Sequence, residues 1–516
     1  MVVRVLRPGA SWLQMPSTRS PRDRQAATFD AVIIGGGPAG STAARLLASW
    51  GHRVALLTRP GARPTLAESL PPSCRKLFDR TGLRHAVDAA VFLRSTGNTV
   101  RWGEGSERVE RFAEGEFGYQ VERDAFDRVL LDEATTSGAH VTRRAIVRKV
   151  VESPGPVALV SFDAGGESRQ LVARWLLDCT GRAGLLARRG WRRPEPRLRT
   201  MAIACAWERR DGWPLAEPTH TLVESYDGGW AWSVPVSETR RHVTVMVDPA
   251  LTAVGGRQRL GATYHAELSK TASLRALLEG AKPVARPFAR DASSYSCSRA
   301  GEEGVLLVGD AASFIDPLSS FGVKKALASA WLAAVVTHSC LENPSLATPA
   351  VELFDSRERA IYESLRRRLA ELSREAAGAY AGGFWQERWD TPEGDADAEP
   401  DITALRSDPA VLGALAELKQ RESITLRSGT GVQRVPRPFI RGNSIVLEDQ
   451  LVAPAFRDGI RYLRSVDLVT IIELAGAHDQ VPDLFDAYNR AAPPAALPDF
   501  LGALSVLIGK RLLVFA

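Results

Sequence analysis

No uncharged apolar run approaches the roughly 18 residues that a membrane-spanning helix needs, so the sequence offers no span and no membrane partner is expected. Cysteine is scarce. Cys74, Cys179, Cys205, Cys297 and Cys340 stand far apart, with no Cys-x-x-Cys pair. That excludes a small disulfide scaffold and fits reduced thiols in a cytoplasmic protein. The eight histidines are equally dispersed, with no His-x-x-x-His or mixed His/Cys cluster, so no metal site is expected. Lysine is sparse too: arginine carries most of the 66 basic charges, against 60 acidic ones. A net charge of +6 fits a weakly basic enzyme better than a nucleic-acid binder.

The rest of the composition, 45% apolar and 24% charged over 516 residues, is that of a globular protein with a large core. The length implies two or three domains. Residues 1–28 carry Arg4, Arg7, Arg19, Arg22 and Arg24 among prolines and serines, without the apolar stretch of a secretory signal. They read as a disordered tail outside the fold.

Residues 30–40 read Asp-Ala-Val-Ile-Ile-Gly-Gly-Gly-Pro-Ala-Gly. A short β-branched run suits a buried parallel strand, and it enters Gly35-x-Gly37-x-x-Gly40. An Ala/Leu-rich helix follows, then a second strand at residues 54–57. Gly35 permits the tight turn, Gly37 leaves room for a pyrophosphate, and Gly40 lets helix and strand pack closely; the helix N-terminus faces the phosphate charge. This context predicts dinucleotide binding. The acid that ordinarily ends the second strand is missing. Thr58 stands there, followed by Arg59, and offers one neutral hydrogen bond to a ribose.

Three further motifs follow. Residues 120–131, Gln-Val-Glu-Arg-Asp-Ala-Phe-Asp-Arg-Val-Leu-Leu, form a helical pattern with Arg123 at its start. Residues 171–177 read as a strand running into Asp178-Cys-Thr-Gly-Arg-Ala-Gly184. Residues 305–308 are a buried strand ending in Gly309-Asp310, followed by Asp316-Pro317-Leu-Ser-Ser-Phe321-Gly322 and an Ala-rich helix. Between them, Trp230-Ala-Trp232-Ser-Val-Pro puts both indoles on one face of a strand.

In this order the motifs resemble the FAD-dependent monooxygenases of the aromatic-hydroxylase fold, and the flavin-dependent halogenases in particular, over roughly residues 29–380. Trp230 to Pro235 resembles the halogenase Trp-x-Trp-x-Ile-Pro motif, which lies beside the tunnel from flavin to substrate. The resemblance implies an FAD cofactor. Gly35, Gly37, Gly40 and Thr58 would bind it with Glu68 and Ser69, Arg123 would reach its pyrophosphate, and Gly309 and Asp310 its ribityl chain. Pro317 and Gly322 would bring a helix N-terminus to the flavin ring, where its dipole stabilises the reduced anion.

Halogenases also need a lysine ahead of a tryptophan that matches Trp102-Gly103. Arg94 and Ser95 stand at that place, and no lysine occurs between Lys76 and Lys149. A guanidinium stays protonated and has no free amine lone pair for a haloamine. Phe321 replaces the small hydroxyl residue of the halide-binding stretch. The expected function is therefore oxygen insertion: hydroxylation of an electron-rich, tryptophan-like aromatic through a flavin C4a-hydroperoxide, with O2 as oxidant. Trp230, Trp232 and Arg94 are the candidate catalytic residues, and Phe321 a candidate substrate contact. Electrons would come from NAD(P)H or from a separate flavin reductase, since no second Gly-rich nucleotide motif is present. The substrate would be a small aromatic or a peptide; lysine-lacking relatives hydroxylate tryptophan within a protein during tryptophylquinone maturation. The alternatives are a flavin-dependent halogenase and a geranylgeranyl-reductase-type oxidoreductase.

The expected architecture is α/β. A Rossmann-like FAD domain, residues 29–380, would hold an inserted mixed β-sheet substrate domain at about 90–120 and 190–290. Residues 381–405 read as an acidic linker. Helical patterns and a closing strand over 406–516 suggest a mainly helical, winged-helix-like region, serving as scaffold or as a peptide-docking module, without the basic recognition helix of a DNA binder.

Overall fold

The computed structural model describes residues 27–59, 66–152, 158–252, 259–319, 321–389 and 404–516. The expected tail up to residue 26, Ser320, and the acidic stretch 390–403 lie outside the described residues. The chain divides into two compact units, residues 1–391 and 392–516.

The first unit is built on two sheets. Ala27–Ile34 takes in the last two residues of the expected tail, and its last four residues are buried. It lies parallel between Val54–Thr58 and Glu167–Asp178. Val305–Leu307 extends the sheet parallel to Glu167–Asp178, and His140–Arg143 extends it beyond Val54–Thr58. The register pairs Ile34 with Asp178 and Leu57, and Asp178 with Leu307. The ends of four parallel strands thus share one edge, the place where open α/β sheets bind ligands.

The second sheet has eight strands. Met201–Glu208, Arg240–Val247, Gly229–Pro235 and Thr221–Tyr226 run antiparallel in that order, and Gly97–Arg101 joins parallel to the last. Alternation along a strand gives the sheet two different faces. Ala231, Val243 and Val245 pack with Tyr264 of helix Leu260–Leu268, whereas Trp230, Trp232 and Met246 face a second cluster. That cluster includes Ala376 of helix Ala347–Ala377, and Phe384 and Trp385.

Here the linker expectation needs correction. Residues 383–389 form a helix, Gly383–Trp389, whose Phe384 and Trp385 are 1% and 0% exposed. The acidic composition starts only at Asp390; Phe384 and Trp385 are large apolar side chains that gain roughly 1.5–3 kcal/mol each or more on burial.

The second unit holds helices Pro409–Gln420, Leu468–Ala475, Val481–Ala491 and Leu497–Gly509, and the closing strand Leu513–Phe515 pairs with Leu426–Ser428. It also contains an antiparallel sheet, Gln433–Arg441, Ser444–Ala453 and Phe456–Ile460, that the sequence pattern did not announce. Pro436, Pro438 and three arginines interrupt alternation in its first strand, which is largely half-exposed. Helix Leu468–Ala475 starts where it does because the Asp467 carboxylate caps it by accepting from the Val469 and Thr470 amides. Among the described residues no helix is long and apolar enough to cross a membrane.

Candidate active site

The glycine turn sits at the shared strand edge. Gly35 has φ +113°, and a Cβ on it would lie 2.2 Å from the Cys179 carbonyl oxygen. A Cβ at Gly40 would lie 1.8 Å from the Gly35 carbonyl oxygen, so only glycine lets helix Pro38–Ser49 start this close to the strand. Gly36, not singled out by the motif, is held against Thr58, whose Oγ1 would be 2.6 Å from its Cβ. Gly37 is open, with the Arg123 guanidinium 3.8 Å from where its Cβ would be. No side chain caps that helix, and Pro38 opens it. Its first-turn amides are therefore left for an anion.

Strand pairing places the residues that hold Arg123. Ala67–Leu70 runs antiparallel to Gly118–Glu122, and Arg123 donates its amide to the Leu66 carbonyl. Glu68 thereby lies 3.2 Å from the Arg123 guanidinium, which also grips both Asp127 oxygens at 3.0 and 3.1 Å. Burial raises the Glu68 and Asp127 carboxyls, and Arg123 opposes this. Burial disfavours the Arg123 cation, but the two carboxylates outweigh it and hold the guanidinium more firmly protonated than usual. Ser69 is half-buried on the same strand.

The Gly309-Asp310 turn is pinned from behind. The Gly309 amide donates to Ser329 Oγ at 2.8 Å, Tyr295 donates its hydroxyl to the Asp310 carbonyl at 2.5 Å, and Lys325 donates to the Gly309 and Ser313 carbonyls. Lys325 is buried beside the buried Glu358, whose carboxyl is raised by burial and lowered by Lys325. Asp310 itself remains half-exposed, within electrostatic reach of Glu68. Pro317 begins a short turn, Pro317–Ser319, and helix Gly322–Glu342 starts without a side-chain cap. A Cβ at Gly322 would meet nothing within 4 Å. An open glycine turn, two uncapped helix starts, a fixed cation over the turn and a half-exposed aspartate at the sheet edge fit an FAD.

The indoles of Trp230 and Trp232 stack at 4.7 Å between centroids, 25° from parallel. Trp230 is buried, Trp232 half-buried, and Phe314 and Leu318 from the Asp310 side pack into the same cluster. Trp102 closes it, edge-on to Trp385 at 5.1 Å and donating its indole N–H to the Leu372 carbonyl. The Trp385 indole donates to the Tyr226 carbonyl at 2.8 Å.

A buried polar chain joins this aromatic wall to the flavin loop. Asp316, 2% exposed, accepts from the Thr200 hydroxyl at 3.4 Å and from the Trp230 indole. Thr200 Oγ1 accepts from Arg388 at 2.9 Å, and Arg388 lies 3.8 Å from Asp248. Burial pushes the Asp316 carboxyl up to about 6, with Arg388 opposing. Sequence reasoning quoted Asp316 only as part of a motif and missed Thr200, Arg388, Lys325 and Tyr295. Nothing local marks them; Arg388 falls in the stretch assigned to the linker.

Arg94 is exposed on strand Leu93–Ser95, and its guanidinium lies 4.3 Å from the Phe117 ring centroid. The following residue, Ser95, is buried and donates its hydroxyl to the Gly97 carbonyl at 3.0 Å. Neighbouring strand residues face opposite ways, so the exposed position belongs to the arginine. Phe321 is half-buried at the head of its helix, with the Lys324 ammonium 4.7 Å from its ring.

Residues 106–406 match the family model described as tryptophan halogenase. The chain belongs to that family. Members are FAD-dependent enzymes, and this chain is an FAD-dependent oxidoreductase of the halogenase-like type. A tryptophan 2-halogenase of Chondromyces crocatus is 32% identical over 336 residues, which span 63% of this chain and 63% of that one. The solved flavin-dependent halogenase CmlS shares the fold with a TM-score of 0.76 at 23% identity, covering 94% of this chain and 96% of its own. So does the peptidyl tryptophan dihydroxylase QhpG, with a TM-score of 0.68 at 22% identity, covering 94% and 99%. Both likenesses extend over nearly the whole chain, so the second unit does not distinguish a halogenase from a hydroxylase.

Proposed function

We propose that this halogenase-family enzyme hydroxylates an electron-rich, tryptophan-like aromatic, carried in a peptide. The observation that supports it is the place of the halogenase lysine: Arg94 is exposed and stacked on Phe117, and Ser95 is a buried hydroxyl. Neither presents a free amine. Lys325 is buried and donates to the Gly309 and Ser313 carbonyls beside Glu358; Lys324 lies on the Gly322 helix with its ammonium 4.7 Å from the Phe321 ring, not at the place ahead of Trp102.

When bound and reduced, FAD supplies the activation of dioxygen. The chain's own residues do the rest. Arg123, held by Glu68 and Asp127, and the amides after Gly37 fix the pyrophosphate. Asp310 would hold the ribityl part of a bound FAD, and the uncapped helix start at Gly322 would favour negative charge on it when reduced. Trp230, Trp232 and Phe314 form an apolar aromatic wall against which an aromatic substrate would stack away from water. Asp316 and Thr200 keep Trp230 in place, and Phe321 borders the substrate. Electrons arrive from NAD(P)H or from a partner flavin reductase. The peptide assignment draws on the likeness to QhpG, which is described as a peptidyl tryptophan dihydroxylase.

The test is mass spectrometry of products formed from a tryptophan-containing peptide and from free tryptophan under labelled dioxygen. Incorporation of labelled oxygen into the peptide supports the reading; label only in free tryptophan removes the peptide assignment, and no label removes hydroxylation. The second reading, halogenation, is favoured by the relative named a tryptophan 2-halogenase, and a bromide-dependent product decides for it.

A further inference from the structure

We propose that His52, His338 and Glu342 form a surface site for one divalent transition-metal ion of the zinc class, at the ends of the first and the Gly322 helices that point away from the glycine turn. Sequence spacing concealed it, because His52 lies 286 residues from His338. The fold brings them together. His338 and Glu342 stand four apart on helix Gly322–Glu342 and so share one face. His52 follows helix Pro38–Ser49 in a turn set by the αL-region Gly51, with the His52 amide bonded to the Leu47 carbonyl at 3.1 Å.

The donor atoms converge. His52 Nε2 and His338 Nδ1 are 2.8 Å apart in a hydrogen bond, and one ring nitrogen of each histidine and a Glu342 oxygen all lie within 4.8 Å of one another. Zinc–nitrogen bonds of about 2.0–2.1 Å at a tetrahedral angle need nitrogens about 3.4 Å apart, so a separation of a few tenths of an ångström seats the ion. Two imidazoles and a carboxylate are a borderline donor set suited to zinc, with the fourth position left to water. Trp50, 5.3 Å from the His338 ring, backs that ligand.

Electrostatics point the same way. Helices Pro38–Ser49 and Gly322–Glu342 both end here, and their terminal carbonyls bring negative partial charge to the spot. Asp30 and Glu342 face His52, with Arg174 opposing. The bound ion ties the turn that leads into Val54–Thr58 to the end of the Gly322 helix, two elements whose other ends border the flavin site.

The experiment uses the full chain without a polyhistidine tag, stripped with chelator and dialysed against micromolar zinc, with bound metal counted by elemental mass spectrometry. One equivalent is expected in the native protein and none in His338→Ala, while His85→Ala, at an exposed histidine elsewhere, binds as the native chain does. Glu342→Gln, at an exposed position that leaves the fold intact, is expected to weaken binding at least about tenfold. Flavin absorbance and circular dichroism report folding of each variant. Zinc retained equally by native protein and Glu342→Gln, or no zinc retained by native protein, overturns the site; if His338→Ala fails to fold, Glu342→Gln decides alone.

Discussion

Replacing Asp316 by Asn tests the buried polar chain behind Trp230. The Asp316 carboxyl keeps its proton up to about pH 6 in the folded protein, because burial penalises the charge; its ordinary value is 3.8. Between those two values the folded chain binds more protons than the unfolded chain, so stability falls as pH rises. At about 1.4 kcal/mol per pH unit, the whole interval is worth roughly 3 kcal/mol, and about half of it lies between pH 5 and 7.5. Asparagine cannot ionise and still accepts from the Trp230 indole and the Thr200 hydroxyl. Asp316→Asn should therefore gain stability on the native protein by roughly 1–2 kcal/mol between pH 5 and pH 7.5, all other titrations cancelling in the difference. Urea unfolding followed by circular dichroism at the two pH values measures it. Equal displacement of the variant's midpoint at both values would show that Asp316 is ionised throughout, and the account of this wall would be wrong.

Arg123→Leu leaves the half-buried Glu68 and Asp127 without their cation and removes a charge-assisted contact worth about 1.5–3 kcal/mol; FAD affinity, followed by flavin fluorescence, should fall roughly tenfold to a hundredfold. Gly40→Ala drives a Cβ into the Gly35 carbonyl, and the purified protein should carry no flavin absorbance. Trp385→Ala should destabilise the first unit by about 3–5 kcal/mol, and Trp385→Phe by much less, in thermal melts; equal melts would return residues 383–389 to a linker. Arg94→Lys should yield no brominated product, since the new amine stands at the exposed Phe117 face.

The geometry of the glycine turn was legible because its requirements are local. A Cβ at Gly35 or Gly40 clashes with backbone whatever the rest of the chain does, and a parallel strand buried on both faces must be an apolar run. Trp230 and Trp232 were legible as a pair because a strand has a period of two. What escaped depends on distant partners. Arg388 becomes part of the aromatic wall only through Thr200 and Asp248, and Trp385 only through Trp102 and Tyr226. The contact of Arg94 with Phe117 was not legible, because spacing from Trp102 does not say which face of a short strand a side chain takes. The sheet at 433–460 was hidden by prolines that a half-exposed strand tolerates.

The central proposal is that this halogenase-family flavoenzyme, which has no lysine ahead of Trp102, transfers oxygen rather than halogen. Its most direct measurement is one incubation of the FAD-loaded, reduced protein with a tryptophan-containing peptide, labelled dioxygen and bromide together, read by mass spectrometry. The account predicts peptide heavier by about 18 Da per labelled oxygen and free of bromine. A brominated peptide without labelled oxygen would contradict it.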